Sequence, residues 1–338
     1  MFQYVPALES AGIQVRVAPL LDDAYVRGLH GGSVPVSSIL RGYAERLSAL
    51  VSLQDCDAVW LEKEALPWMP SWLELALLGT RLPLIVDYDD AVFHRYDQHG
   101  NPLVRRLLGR KIDAVMRRAD LVTAGNGYLA ERAASAGCRR VERLPTVVDL
   151  DRYRVAGERM RDGPVVIGWI GSPSTAGYLR QLDPALRALA REHVIRCVAV
   201  GARADQVQGA LFERREWTEE SEVNAITGFD IGIMPLPDEP WERGKCGYKL
   251  IQYMACGVPV VASPVGVNTE IVTPGVNGAL AATPEQWLAA LAQLADDPEL
   301  RARQGAEGRR RVEAWYSLQA QASRLVGMLQ EAVRRGRA

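Results

Sequence analysis

Short apolar runs alternate along this chain with longer stretches whose apolar residues recur every three or four positions. The short runs read as strands: Gln14–Ala18, Ala58–Leu61, Leu82–Tyr88, Leu121–Ala124 and Val141–Leu144, then Val165–Ile170, Val194–Val200, Ile231–Pro235, Val258–Ala262 and Gly278–Ala281. Several are apolar throughout, as strands covered on both faces by helices should be. Strand–helix alternation of this kind predicts an α/β protein built on parallel, doubly wound sheets. The alternation breaks once, over Val147–Pro164, a polar stretch with two glycines and a proline and no sustained period. The expectation is therefore two Rossmann-like domains. One covers residues 1–150 and is completed by a C-terminal helix over about 316–338. A linker over 151–164 follows, then a second domain over 165–315. A chain of 338 residues is long for one core and comfortable for two.

Helix signals are clearest near the C-terminus. Thr283 is a cap, Pro284 suits the first helical position, and Gln286 completes a capping box ahead of Trp287, Leu288, Leu291 and Leu294. Leu318–Val333 carries Leu325, Met328 and Leu329 on one stripe and arginines at its end, where they suit a helix C-terminus. A basic contact with a membrane surface is the other reading of those arginines. The chain opens unusually. Residues 2–12 read as a helix ending near Gly12, so the opening strand and glycine-rich turn of a doubly wound domain are not where they are expected.

Composition adds exclusions. The chain is 48% hydrophobic and 24% charged, ordinary for a globular protein, and its formal net charge of −1 gives no general attraction to nucleic acid. Five cysteines, Cys56, Cys138, Cys197, Cys246 and Cys256, are scattered and form neither a disulfide framework nor a zinc set. No apolar run has transmembrane length and no leader opens the chain. The expected setting is the cytoplasm, in solution or peripheral to the inner face of the membrane.

The chemistry concentrates in Phe229–Gly266 (FDIGIMPLPDEPWERGKCGYKLIQYMACGVPVVASPVG), which parses as strand, loop, helix, strand, loop. In an open α/β sheet, ligands bind beyond the carboxyl ends of the strands. The loop Pro237–Lys245 lies at such an end, and the helix over about Gly247–Ala255 points its N-terminus into the same crevice, a natural phosphate cradle. Gly244 and Gly247 permit close backbone approach. With a helix beginning at Gly244, Lys245, Lys249 and Gln252 form one polar stripe while Leu250, Ile251 and Met254 face the core. Two lysines in the first turns oppose the helix dipole unless an anion is bound; two solvated lysines are the plainer alternative.

This segment resembles the signature region of retaining glycosyltransferases of family 4, which have the two-domain GT-B fold. MACGVPVVAS is similar to the family core, and the likeness continues through PVGVNTEIVTPGVNGAL and DDPELRARQGAEGRRRVEAWYS. In the first half, LPLIVDYDD, LVTAGNGYLAE and LPTVVDLDRY resemble further family segments. The resemblance implies two Rossmann-like domains facing each other across a cleft. It also implies transfer of a sugar from a UDP-, GDP- or dTDP-sugar, without a metal cofactor, to a glycan, lipid-linked or small-molecule acceptor.

The resemblance also assigns roles. Two glutamates eight positions apart would hold the sugar and the ribose; here those positions are Gly244 and Gln252. Gln252 can still bond a ribose hydroxyl, and Glu242 or Glu239 can stand in for the sugar-contacting acid. The region of the diphosphate clamp reads WIGSPSTAGYL, with Gly171, Ser172, Ser174 and Thr175 but no cation before Arg180. Positive charge at the diphosphate then falls to Lys245 and Lys249. Trp217 lies where the family holds the base. Asp89 takes the place of a first-domain histidine, with Asp90 and His94 beside it on the acceptor side. The Asp87-to-Asp90 run also resembles the Asp-x-Asp metal motif of a different glycosyltransferase fold, which two Rossmann-like halves disfavour. Rival readings are a non-catalytic or impaired nucleotide-binding protein of the same fold and a sugar-nucleotide epimerase.

Overall fold

The computed structural model describes residues 1–21, 36–155 and 163–336. The chain divides into two compact units, Met1–Leu144 with the segment from Ala322 onward, and Pro145–Gln321. These divisions fall at 144/145 and 321/322, where the expected boundaries were 150/151, 164/165 and about 316. Tyr153, inside the expected linker, is fully buried in the core of the second unit. Residues 156–162 of that linker lie outside the described residues.

The first unit carries a four-stranded parallel sheet of β1 (Val59–Glu62), β2 (Leu84–Tyr88), β3 (Leu121–Ala124) and β4 (Val141–Arg143), in that order. The register sets Leu61 beside Val86, and Val86 beside Val122. Gln14–Ala18 is not a strand. Its alternating side chains lie largely at the surface, and no ladder among the described residues takes it up, so an apolar–polar alternation without a sheet partner stays irregular. Residues Phe2–Ser10 are helical, as their pattern indicates, with Tyr4 and Leu8 buried.

A buried charge cluster organises this unit. The Lys111 ammonium is fully buried; it donates to the Leu66 carbonyl at 2.6 Å, lies 3.0 Å from Glu74 Oε2, and is bonded to Glu64 Oε2. The Tyr96 hydroxyl also donates to Glu64, at 2.9 Å, and the Ala65 amide donates to Glu74 at 2.7 Å. Together these groups pin the loop that follows β1. Within it Lys63 and Trp68 hold left-handed φ angles of 63° and 62°, a conformation that costs free energy in a side-chain-bearing residue and persists only when the surroundings impose it.

The second unit carries six parallel strands: β5 (Val165–Ile170), β6 (Ile195–Val200), β7 (Phe212–Arg215), β8 (Ile231–Met234), β9 (Val260–Ala262) and β10 (Gly278–Leu280). Their spatial order is β10-β9-β8-β5-β6-β7. The chain winds outward from β5 one way and from β8 the other, which is the Rossmann order, and its topological switch point lies between β5 and β8. Both faces are covered. Ile167 and Trp169 belong to one apolar cluster, Ile170 and Val200 to the other. The strand β7 escapes the apolar pattern because three of its four residues are charged. It is an edge strand, with Phe212 buried and Glu213 paired to Arg196 of β6 at 2.6 Å.

The capping box at Thr283 and Gln286 is present, Pro284 starts the helix, and Trp287, Leu291 and Leu294 are buried. The C-terminal helix spans Leu318–Gly336 with Leu325, Met328 and Leu329 buried. Among the described residues, no helix is long and apolar enough to cross a membrane. All five cysteines are free. Replacing Lys111 by Met should destabilise the first unit by about 3–5 kcal/mol, because Glu64 and Glu74 would remain buried without a counter-charge. Denaturant unfolding followed by a probe in that unit measures it; a loss below 1 kcal/mol would show that the cluster does not hold the unit together.

Candidate functional site

At the β5/β8 switch point the loops leaving both strands meet the helix Tyr248–Ala255. That helix begins one residue after Gly247, which adopts φ 68° as its cap; a side chain there would also collide with Ile271, a Cβ lying 2.3 Å from its Cδ1. The expected stripe through Lys245, Lys249 and Gln252 is therefore not formed. The left-handed glycine interrupts the helical numbering, leaving Lys245 in the preceding turn, where its amide donates to the Glu242 carbonyl at 3.1 Å. Within the helix the division into faces holds. Leu250, Ile251 and Met254 are buried, whereas Lys249 is half-buried.

Lys249 reaches the loop after β5. A Cβ on Gly171 would stand 2.4 Å from Lys249 Cε, and Lys249 Nζ lies 5.6 Å from the centre of the Trp169 ring, a cation–π contact. A Cβ on the neighbouring Gly201 would fall 2.2 Å from the Gly171 carbonyl oxygen and 3.4 Å from Trp217 Cβ. Gly171, Lys249 and Trp217 are thus brought to one place at the carboxyl end of the sheet. Ser172 and Ser174 are exposed on the same loop with hydroxyl oxygens 2.7 Å apart, and the Thr175 hydroxyl donates to the Ser172 carbonyl. The helix they open, Pro173–Ala176, is a single turn, and the Ser172 side chain does not cap it. Arg180 is turned to the carbonyls of Asp205 and Gln206.

Gln252 is buried and its amide is in use. It donates to the Tyr153 hydroxyl at 2.8 Å, and that hydroxyl donates in turn to Glu222. Glu222 also accepts from Trp217 Nε1 at 2.8 Å and from Arg152 at 3.2 Å. Burial, with Tyr248 and Glu222 close by, pushes the Tyr153 phenol far above its usual range, so it stays a donor. Glu242 is buried, on the short helix Pro240–Arg243, and accepts from the Tyr178 hydroxyl at 2.5 Å; Glu239 is exposed. Gly244 is buried in the turn between that short helix and the helix Tyr248–Ala255. Neither Glu222, Tyr153 nor Tyr178 carried a signal in the sequence, since the Tyr153–Glu222 and Tyr178–Glu242 bonds join residues more than sixty positions apart.

In the first unit, Asp89 pairs with Lys63 at 2.8 Å, and Asp90 lies 3.9 Å from the same ammonium. Lys63 is the residue that the loop after β1 holds in a left-handed conformation. His94 is buried with both ring nitrogens engaged, Nδ1 with Asp97 at 2.8 Å and Nε2 with the Tyr128 hydroxyl at 2.7 Å. Asp87 accepts from Thr123 at 2.5 Å, and burial, reinforced by Asp89, pushes its carboxyl up to about 6. Among the described residues, no group of three or more His, Cys, Asp or Glu side chains is placed to hold a metal ion.

Two Rossmann-like units, each built on a parallel sheet, have the architecture of the GT-B fold. Residues 164–297 match the family model described as glycosyl transferases group 1. Over 111 residues the chain is 38% identical to a GDP-mannose-dependent monoacylated alpha-(1-6)-phosphatidylinositol monomannoside mannosyltransferase of Corynebacterium glutamicum, covering 32% of this chain and 29% of that protein. The chain spans less than a third of the length of the curated relatives it matches. Among solved structures it resembles the sucrose-phosphate synthase of Thermosynechococcus elongatus, with TM-score 0.71, 17% identity and coverage of 97% of this chain and 91% of that one. It also resembles Anabaena HepE in complex with UDP and glucose, with TM-score 0.67, 16% identity and coverage of 96% and 88%. Those likenesses establish the fold.

The raised Asp87 pKa carries a sign. The folded chain holds this proton where the unfolded chain, near 3.8, has lost it, so the stability contribution is fully present below the unfolded value and is lost as pH rises through about 6. Asp87→Asn, which keeps the acceptor for Thr123, should therefore gain stability relative to the parent as pH rises, by about 2 kcal/mol between about pH 4.5 and 7.5. Paired denaturant titrations at the two pH values check it, and a pH-independent difference would rule out the shift.

Proposed function

We propose that this protein is a glycosyltransferase that takes a sugar from a nucleoside-diphosphate sugar, with UDP, GDP or dTDP as the nucleotide, and passes it to a hydroxyl of a glycan, lipid-linked or small-molecule acceptor. The single observation that carries this reading is the lysine at the switch point: Lys249, on a glycine-capped helix, lies against Gly171 at the end of β5. A half-buried cation beside bare backbone suits a diphosphate. The C. glutamicum relative is named for GDP-mannose, and HepE binds UDP and glucose, so both support a sugar-nucleotide donor.

In the proposed reaction the bond from the anomeric carbon to the diphosphate oxygen breaks and its electron pair leaves with the diphosphate. Lys249 and Lys245 stabilise that charge, with Ser172, Ser174 and Thr175 as neutral neighbours. The acceptor oxygen bonds to the anomeric carbon from the face the diphosphate leaves, which retains configuration, and its proton goes to the departing oxygen. In this reading Glu242, held by Tyr178, binds sugar hydroxyls and stabilises the oxocarbenium-like carbon. Trp217, clamped by Glu222, is the base-side wall. Asp89, with Asp90, serves the acceptor. No step is assigned to a metal. The setting proposed is the cytoplasm, with contact to the inner face of a membrane.

A second reading, nucleotide binding without transfer, is favoured by one observation: the position of the first family glutamate is Gly244, and Gln252 is already bonded to Tyr153. An epimerase would form product without an acceptor, which separates it from transfer. Lys249→Ala should lower turnover about 10²–10³-fold, the scale for removing one charge-stabilising donor, with the fold intact. A panel of nucleotide-sugars with mass-spectrometric detection, alongside melting shifts with UDP, GDP and dTDP, measures both. Wild-type turnover in the variant would remove Lys249 from the mechanism, and the absence of any melting shift would remove donor binding.

A further inference from the structure

The first unit exposes a set of large apolar side chains that its own core does not use. Trp68, Met69 and Trp72 are 49, 39 and 70% exposed, and Leu103 and Leu107, one helical turn apart on the helix Pro102–Leu108, are 59 and 67% exposed. The two segments are neighbours. The Trp68 ring meets Tyr96 at 5.3 Å and His99 at 5.8 Å between ring centres, and Arg105 donates to the His99 carbonyl at 2.5 Å. Pro67 and Pro70 flank the first tryptophan, and the buried Lys111 cluster fixes the loop from below, so Trp68 is presented on a rigid support.

The charge around this patch has one sign. Residues 98–112 contain Arg105, Arg106, Arg110 and Lys111 and no acid. Lys111 is spent on Glu64 and Glu74, but the three arginines are exposed, and Arg106 and Arg110, four residues apart, make no ion pair among the described residues. Acids from the adjoining elements are neutralised elsewhere: Asp97 bonds His94 and Arg132, Asp113 bonds Arg132, and Glu64 and Glu74 bond Lys111. Among the described residues, no acid of these two segments is left to offset that positive charge.

We infer that this face docks on an anionic lipid bilayer, with Trp68, Trp72, Leu103 and Leu107 entering the headgroup–acyl boundary and Arg105, Arg106 and Arg110 meeting the phosphates. The exposed apolar side chains come from two neighbouring segments and share the surface with three exposed arginines. A bilayer supplies apolar depth and negative charge everywhere along such a face, whereas a folded partner would need a matching shape. Tryptophan rings and arginines with apolar stems are the side chains that settle at that boundary. This names the surface for the membrane contact proposed above. It does not require sugar transfer, since neither donor nor acceptor takes part.

The test is flotation of the full chain with vesicles of phosphatidylcholine alone and of phosphatidylcholine with phosphatidylglycerol, without nucleotide. Binding to the anionic vesicles only, weakened by added salt, is expected. Arg106→Gln with Arg110→Gln should lower the partition coefficient about thirty-fold, at about a factor of five per cation. Trp72→Ser with Leu107→Ser should weaken it while leaving the melting temperature unchanged. Equal binding to neutral vesicles, no binding, or parental partitioning by both variants would overturn the inference. So would a concentration-dependent dimer, seen in sedimentation, that the serine variant dissolves, because the patch would then belong to a second copy; capture of an acidic protein in place of vesicles would overturn it likewise. Vesicle binding by a chain that binds no nucleotide would sink the glycosyltransferase reading and leave this one standing.

Discussion

Everything at the switch point depends on how one tyrosine seats a helix on a sheet. Tyr253 is fully buried. Its ring occupies the space a side chain at Gly232 would need, with a Cβ there only 2.5 Å from the ring. Its hydroxyl accepts from the Ile170 amide at 3.0 Å and donates to the Ile233 carbonyl at 3.4 Å. One side chain thus ties the helix Tyr248–Ala255 to the ends of both strands that flank the switch point. The rotation of that helix follows. Four residues before Tyr253, Lys249 is carried to Gly171; one residue before it, Gln252 is carried to Tyr153. Burial keeps the Tyr253 phenol protonated, so both of its hydrogen bonds persist across the physiological pH range.

The first unit reaches a comparable result with charge. A lysine, two glutamates and a tyrosine hydroxyl pair with one another in its interior. The loop they hold accepts two residues in left-handed conformations and delivers Lys63 to Asp89 at the carboxyl end of the sheet. An isolated buried ion pair is weak evidence of stability. Here its effect is directional, because the cluster fixes which face of the loop turns outward. The Asp89 carboxylate therefore arrives already paired with a cation, a pairing the run of acids from Asp87 to Asp90 does not reveal.

Legibility in the sequence followed locality. β5 and β3 are legible at their exact bounds because each is a short, mainly apolar run bounded by Pro, Asp or Gly, and the Thr283 cap because its three residues interact within one turn. β7 was not, since an edge strand with three charged residues has no apolar signature. Gln14–Ala18 had the alternation of a strand, but a strand also needs a partner, which the pattern of one segment does not encode. The lysine stripe failed at a single backbone angle, the left-handed turn at Gly247, which resets the helical phase between Lys245 and Lys249. Lys63 and the Glu222–Tyr153–Gln252 chain were invisible because their partners are brought together only by the fold.

That chain also explains why a neutral residue suits position 252. The Tyr153 oxygen carries one proton, and it goes to Glu222. Whatever stands at position 252 must then donate to that oxygen, and the Gln252 amide does. A carboxylate there has no proton to give at neutral pH, and it would bring a second buried negative charge towards Glu222. The neutral residue at 252 and the acid at 222 are therefore one arrangement. The negative charge on this side of the crevice sits on Glu222, where Arg152 and the Trp217 indole N–H help to bear it and where it fixes the indole in place. Carboxylates at both 222 and 252 would compete for the one phenol proton of Tyr153, and this chain presents only the first.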